Sequence, residues 1–171
     1  MKKLMIASAI AMTMAAGSAM ASQQGDVQFF GNVTANTCDV TPEVGGNVTN
    51  MIQLGTVSTN GTGQEIPLVF KATDANGGDC QSLTGKTATV AWGGPLTDRG
   101  IANQGGIAND AYVILTSTNA KSNQAVIKDN SAVAFDAGKV INDGFAFKAQ
   151  LKGGSTAGDF KSAAAYAVTY Q

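Results

Sequence analysis

Beyond residue 21 no apolar run continues for more than a few residues before a turn-forming cluster interrupts it, and this punctuation constrains the fold more than any other feature. The interruptions are Val44-Gly45-Gly46-Asn47, Asn60-Gly61-Thr62-Gly63, Asn76-Gly77-Gly78-Asp79, Gly93-Gly94-Pro95, the stretches 103–109 and 119–123, and Lys152-Gly153-Gly154-Ser155. Each is rich in residues that tolerate positive φ or initiate turns. The runs left between them are too short for helices that could carry a core, and they are rich in valine, threonine, phenylalanine and alanine. The expectation is an all-β fold, a sandwich of two antiparallel sheets. Its predicted strands are Val27–Asp39, Met51–Val57, Glu65–Ala72, Thr87–Trp92, Ala111–Ser117, Ala125–Lys128, Ala132–Asp136, Gly144–Leu151 and Ala163–Tyr170. No repeat of fixed period and no interior linker divides the chain, so one domain is expected.

Alternation assigns faces to these strands. Ile66, Leu68 and Phe70 share one parity, as do Phe145, Phe147, Ala149 and Leu151; Tyr112 and Ile114 with Val113 and Leu115 make a strand that is apolar on both sides. All are core candidates. Trp92, the single tryptophan, reads as an inter-sheet core residue rather than a ligand platform.

The start of the chain sets the compartment. Lys2 and Lys3 precede an apolar run from Leu4 to Met14, and Ala19-Met20-Ala21 has the small-x-small form of a cleavage site, so residues 1–21 read as a secretory signal peptide. The run is too short and too interrupted to span a bilayer, and no direct membrane insertion is expected. Loss of those two lysines takes the formal charge from −1 to −3, a mild acidity that argues against nucleic acid as a partner. In an oxidising compartment the two cysteines, Cys38 and Cys80, are most simply read as one disulfide. A metal site lacks ligands, since the chain has no histidine.

The same absence excludes a Ser-His-Asp or Cys-His arrangement. Aspartates 98, 110, 129, 136, 143 and 159 stand in turn-like surroundings, where the side chain bonds its own backbone. Gly77-Gly78 and Gly105-Gly106 neither open a helix nor precede Lys-Ser or Lys-Thr, and read as loops, not phosphate cradles. The expectation is no enzyme, no cofactor and no metal.

The two ends of the chain stand apart. In Gly25-Asp26-Val27-Gln28-Phe29-Phe30-Gly31-Asn32-Val33, residues Gly25, Val27, Phe29, Gly31 and Val33 fall on one face of an extended strand. At the other end Tyr166, Val168 and Tyr170 alternate with Ala163, Ala165 and Ala167, and no charge follows Lys161. Such a terminus would fray unless paired with something.

In order and spacing, the signal peptide, the Gly25–Gly31 start, Cys38, Ile52-Gln53-Leu54-Gly55, Cys80 and the closing Tyr166-Ala167-Val168-Thr169-Tyr170-Gln171 resemble the subunits of chaperone–usher fimbriae, in particular their major structural subunits. The resemblance spans essentially all of residues 22–171. It implies an immunoglobulin-like sandwich lacking its final strand, with residues 22–33 as a donor extension and 34–171 as the pilin domain. Val27 and Phe29 would fill groove pockets of a neighbouring subunit, with Gly25 at a position that takes no side chain and Gly31 further along the same face. Tyr166, Val168 and Tyr170 would flank the acceptor groove, and Gln171 would offer its carboxylate to a periplasmic chaperone. The implied partners are neighbouring copies in a homopolymer, that chaperone and an outer-membrane usher, and the implied location is a fimbrium on the bacterial surface. A minor or adaptor subunit of the same fibre, or a secreted monomeric β-sandwich binding module, are the other readings.

Overall fold

Turn chemistry and alternation decide the elements of the computed structural model, which describes residues 38–171. Strands β1 (Val40–Val44) and β2 (Asn47–Val48) form a hairpin around Gly45 and Gly46, both in the left-handed region at φ 60° and 81°, as a two-residue hairpin loop requires. Long β3 (Thr62–Ala72) follows, and a single helical turn α1 (Gly78–Gln81) then carries Cys80. The chain continues through β4 (Thr87–Gly93), β5 (Ile101–Ala102), β6 (Tyr112–Ser117), β7 (Ala132–Asp136), a 3-10 turn over Ala137–Ile141, β8 (Phe145–Lys152) and β9 (Ala165–Tyr170). One sheet has the order β2-β1-β3-β8-β6-β5 and the other β7-β4-β9, with every pairing antiparallel.

The core lies between these sheets. From the larger come Leu68, Phe70, Val113, Leu115, Phe145, Phe147, Ala149 and Leu151; from the smaller come Ala88, Val90, Trp92, Val133 and Phe135, all buried. Burial alternates residue by residue along β4, β6 and β8, which is the physical content of a two-layer sandwich. Trp92 meets Phe70 at 5.7 Å and Phe147 at 5.5 Å, both edge to face. Cys38 and Cys80 are joined, with Cα atoms 4.9 Å apart, which ties the chain just before β1 to α1.

Several expectations change. Residues 51–57 form no strand, although Ile52, Leu54 and Val57 do turn toward the core. They line the side of the sandwich where no described strand lies alongside to complete a ladder. Residues 125–128 make only isolated bridges, Thr116 with Ala125 and Ile127 with Asn130. Most of the predicted Val27–Asp39 strand lies outside the described residues; Cys38 and Asp39 are not in a strand, and β1 begins just after them. Pro42 hid β1 from a propensity reading, because proline is tolerated in strands chiefly near edges. Tyr112 and Ile114 face outward, with the Arg99 guanidinium 4.7 Å from the Tyr112 ring centroid, so β6 gives the core only its Val113 face. Ile66 is likewise only half-buried.

Candidate strand-acceptor groove

Strand β9 is built by its own alternation. Its register against β4 sets Tyr166, Val168 and Tyr170 opposite Trp92, Val90 and Ala88, all core residues, so the larger side chains point inward and the alanines outward. The hydrogen bonds follow from the same register. Thr87 and Gln171 exchange both main-chain bonds, at 2.7 and 2.8 Å. Counting in twos along an antiparallel ladder, Thr169, Ala167 and Ala165 direct their N–H and C=O groups to β4, while Tyr170, Val168 and Tyr166 direct theirs to the far side. No described strand pairs with β9 there. One set of residues therefore walls the core while its main chain points away from β4.

Beside that edge lies an apolar groove. Its floor includes Leu68, Phe70, Trp92, Leu115 and Ala149 around a cavity of about 250 Å³. Tyr166 and Ala164 form one bank, Ile52 and Leu54 the other. The groove runs on between residues 51–59 and 153–162 as a wider space of about 960 Å³. Among the described residues no main-chain hydrogen bond ties residues 52–57 on the far bank.

The banks are held by side chains. Asp110 accepts from the Ser155 N–H at 2.6 Å, the Ser155 hydroxyl at 2.7 Å and the Thr156 N–H at 3.3 Å. The Ser155 hydroxyl foremost, then these main-chain donors, holds the Asp110 carboxyl down at about 2, below its ordinary 3.8. Asn103 Oδ1 accepts from the Lys161 N–H, Gln104 Oε1 from the Ala163 N–H, and the Ser162 hydroxyl donates to the Ala102 carbonyl. These bonds fix the connection from β8 to β9 against the neighbouring loops. At the end of β9 the Tyr170 hydroxyl donates to the Cys38 carbonyl at 2.8 Å in a buried bond. Burial raises the Tyr170 hydroxyl pKa, with the charge of Asp39 adding to it, and burial also raises that of Tyr166.

The predicted residues thus divide into those the structure brings together and those beyond it. Tyr166, Val168 and Tyr170 share one edge, and exposed Gln171 extends the β4 ladder. Gly25, Val27, Phe29 and Gly31 lie outside the described residues. Sequence reasoning missed Asn103, Gln104 and Asp110. A signal existed only for Asn103, a polar side chain in a glycine-rich loop that also bonds its own loop at Gly105 and Ala108; the partners of Gln104 and Asp110 lie 59 and 45 residues away. Among the described residues no cluster of three or more potential metal ligands occurs, and no helix is long and apolar enough to cross a membrane.

An antiparallel sandwich whose last strand is an edge beside an apolar groove defines a pilin-like class of domain. Consistent with that, the fold resembles the crystal structure of the P pilus rod subunit PapA, with a TM-score of 0.51 and 18% identity, over 85% of this chain and all of that one. No protein-family model matches the chain. Curated relatives do: it is 58% identical to the F107 fimbrial protein of Escherichia coli over the full length of both, and 32% identical to the K99 fimbrial protein of Escherichia coli over 99% of each. The Major MR/P fimbria protein of Proteus mirabilis is 29% identical over 100% of this chain and 99% of its own. The chain belongs to the chaperone–usher fimbrial subunits. It is a structural subunit that polymerises into a fimbrium on the cell surface.

Proposed function

We propose that this chain is the major pilin of its fibre, and that it polymerises by strand donation: residues 22–33 of one copy fill the groove beside β9 of the next. The observation that carries this reading is the apolar trough lined by Leu68, Phe70, Trp92, Leu115 and Ala149, with Tyr166 on its wall. A strand laid in that trough would seat alternate side chains in its pockets, as strand-addition recognition requires. On the donor, Gly25, Val27, Phe29 and Gly31 would face the trough. A joint between two different surfaces of the same protein does not close on itself, so it propagates as a fibre.

The rest of the reading follows from the same groove. Before assembly the trough would be covered by a periplasmic chaperone, which also engages Gln171, and an outer-membrane usher would exchange chaperone for donor. Residues 1–21 direct export to the periplasm and are removed. The role is structural, not catalytic, and the assembled fibre serves adhesion. Adding a synthetic peptide of residues 22–33 to the mature chain tests the central step. The melting temperature should rise with peptide concentration by mass action on the folded state, and a melting temperature indifferent to saturating peptide would refute strand donation. Quantifying this chain in sheared fibres tests the major-subunit assignment: it should dominate the polymer by mass.

A further inference from the structure

Five of the six methionines lie within residues 1–21, so Met51 carries the only thioether in the rest of the chain. At 69% it is also the most exposed large apolar side chain among the described residues, with Val48 three places before it at 67%. Its main chain is pinned by one hydroxyl. The Met51 N–H donates to Thr49 Oγ1 at 3.1 Å, and the Thr49 hydroxyl donates to the Met51 carbonyl at 3.4 Å. Met51 stands at the head of the bank that Ile52 and Leu54 continue, and it lines the wider space of about 960 Å³. The other two sulfurs are joined to each other in the Cys38–Cys80 bond, both cysteines are buried, and none is free. Trp92, the other oxidisable side chain of note, is buried as well. An oxidant in solution therefore meets one accessible reduced sulfur.

We propose that Met51 Sδ is a redox modification site, converted to the sulfoxide on the folded chain by a peroxide. A sulfur lone pair attacks one peroxide oxygen; the S–O bond forms as the O–O bond breaks. The proton of the transferred hydroxyl passes to the displaced oxygen, which leaves as water or an alcohol. Sulfur is oxidised by two electrons and the peroxide is reduced by two. The reaction needs no unfolding, because susceptibility follows exposure and the side chain already stands in water. It replaces a flexible apolar group with a polar, chiral one on the bank of the groove and leaves the packed core untouched. Each sulfoxide epimer is reversed by its own class of reductase, so the mark is erasable wherever such an enzyme has access. None of this depends on what fills the groove.

Hydrogen peroxide added to the folded chain of residues 22–171 should add the mass of a single oxygen atom, placed at Met51 by peptide mapping, with the melting temperature unchanged. The rate should lie within about threefold of that measured in denaturing urea, as exposure predicts. The oxidised chain should leave a hydrophobic-interaction column earlier than the reduced one, and the two reductases together should restore both mass and elution. Met51→Leu, which keeps the apolar volume without sulfur, should take up no oxygen. A larger gap between the folded and unfolded rates, or uptake at Trp92 or a cysteine instead, overturns the site. Uptake at Met51 that lowers the melting temperature or leaves elution unmoved overturns its placement on the surface of the bank.

Discussion

Single side chains decide how firmly the ends of β9 are held. The Tyr170 hydroxyl gives its proton to the buried Cys38 carbonyl, and both residues are under 8% exposed. Tyr170→Phe keeps the ring and leaves that carbonyl unsatisfied, so the fold should lose about 1–2 kcal/mol, read as a lower midpoint in urea with an unchanged slope. Asp110 acts at the other end of the groove, where it grips Ser155 and Thr156. Its folded pKa of about 2 lies below the ordinary 3.8. The unfolded chain therefore binds the proton more readily, and the contribution is full above the unfolded value and lost as pH falls from about 4 through about 2. Asp110→Asn should flatten that part of the stability profile, as followed by urea titrations at stepped acid pH; an unchanged profile would mean that other carboxylates set the acid limb. Neither role could be read from the sequence, where Tyr170 was a parity match and Asp110 one aspartate among several in turns. Both depend on partners 132 and 45 residues away in the chain.

Among the elements, β9 and the stretch 51–57 show what alternation can and cannot reveal. Both carry apolar residues at every second place, and both were read as strands. β9 has β4 beside it and becomes one. Residues 51–57 have no described neighbour to bond, so Ile52 and Leu54 reach the groove from irregular backbone, and Gly55 at φ 73° breaks the register before Val57. Side-chain period records which face seeks the core, but a strand also needs a partner ladder, and that is a property of topology. The same distinction makes β9 testable. The Thr169 N–H points toward β4, as the ladder parity requires. Thr169→Pro should break the β4 ladder and unfold the subunit, read by circular dichroism; an unchanged spectrum and melting temperature would contradict the parity assignment.

At the scale of the whole molecule, the fold class, the disulfide partners and the edge strand were legible because each depends on local pattern or on cysteine count. The groove was not legible from periodicity, since Phe70, Trp92 and Ile52 are distant in sequence and meet only across the two sheets. Resemblance to a family supplied the expectation, and the geometry beside β9 supplies a physical reason for it. A sandwich that leaves this trough uncovered should be marginal alone and stable once a strand is added. On the strand-donation proposal, residues 22–33 matter more to the polymer than to the subunit that carries them. Burying Val27 and Phe29 in a neighbour's groove should contribute about 1.5–3 kcal/mol each, with main-chain bonds to β9 in addition. A carboxylate in either place would have to be desolvated among Leu68, Phe70 and Trp92, where no described residue lining the 250 Å³ cavity is a cation to pair with it. Val27→Asp or Phe29→Asp should therefore abolish fibres on the surface of producing cells, as seen by negative-stain microscopy, while the subunit still accumulates in the periplasm bound to its chaperone. If the Asp variants instead unfold the subunit and vanish from the periplasm, residues 25–33 are an ordinary first strand of their own sandwich, and the fibre must be joined another way.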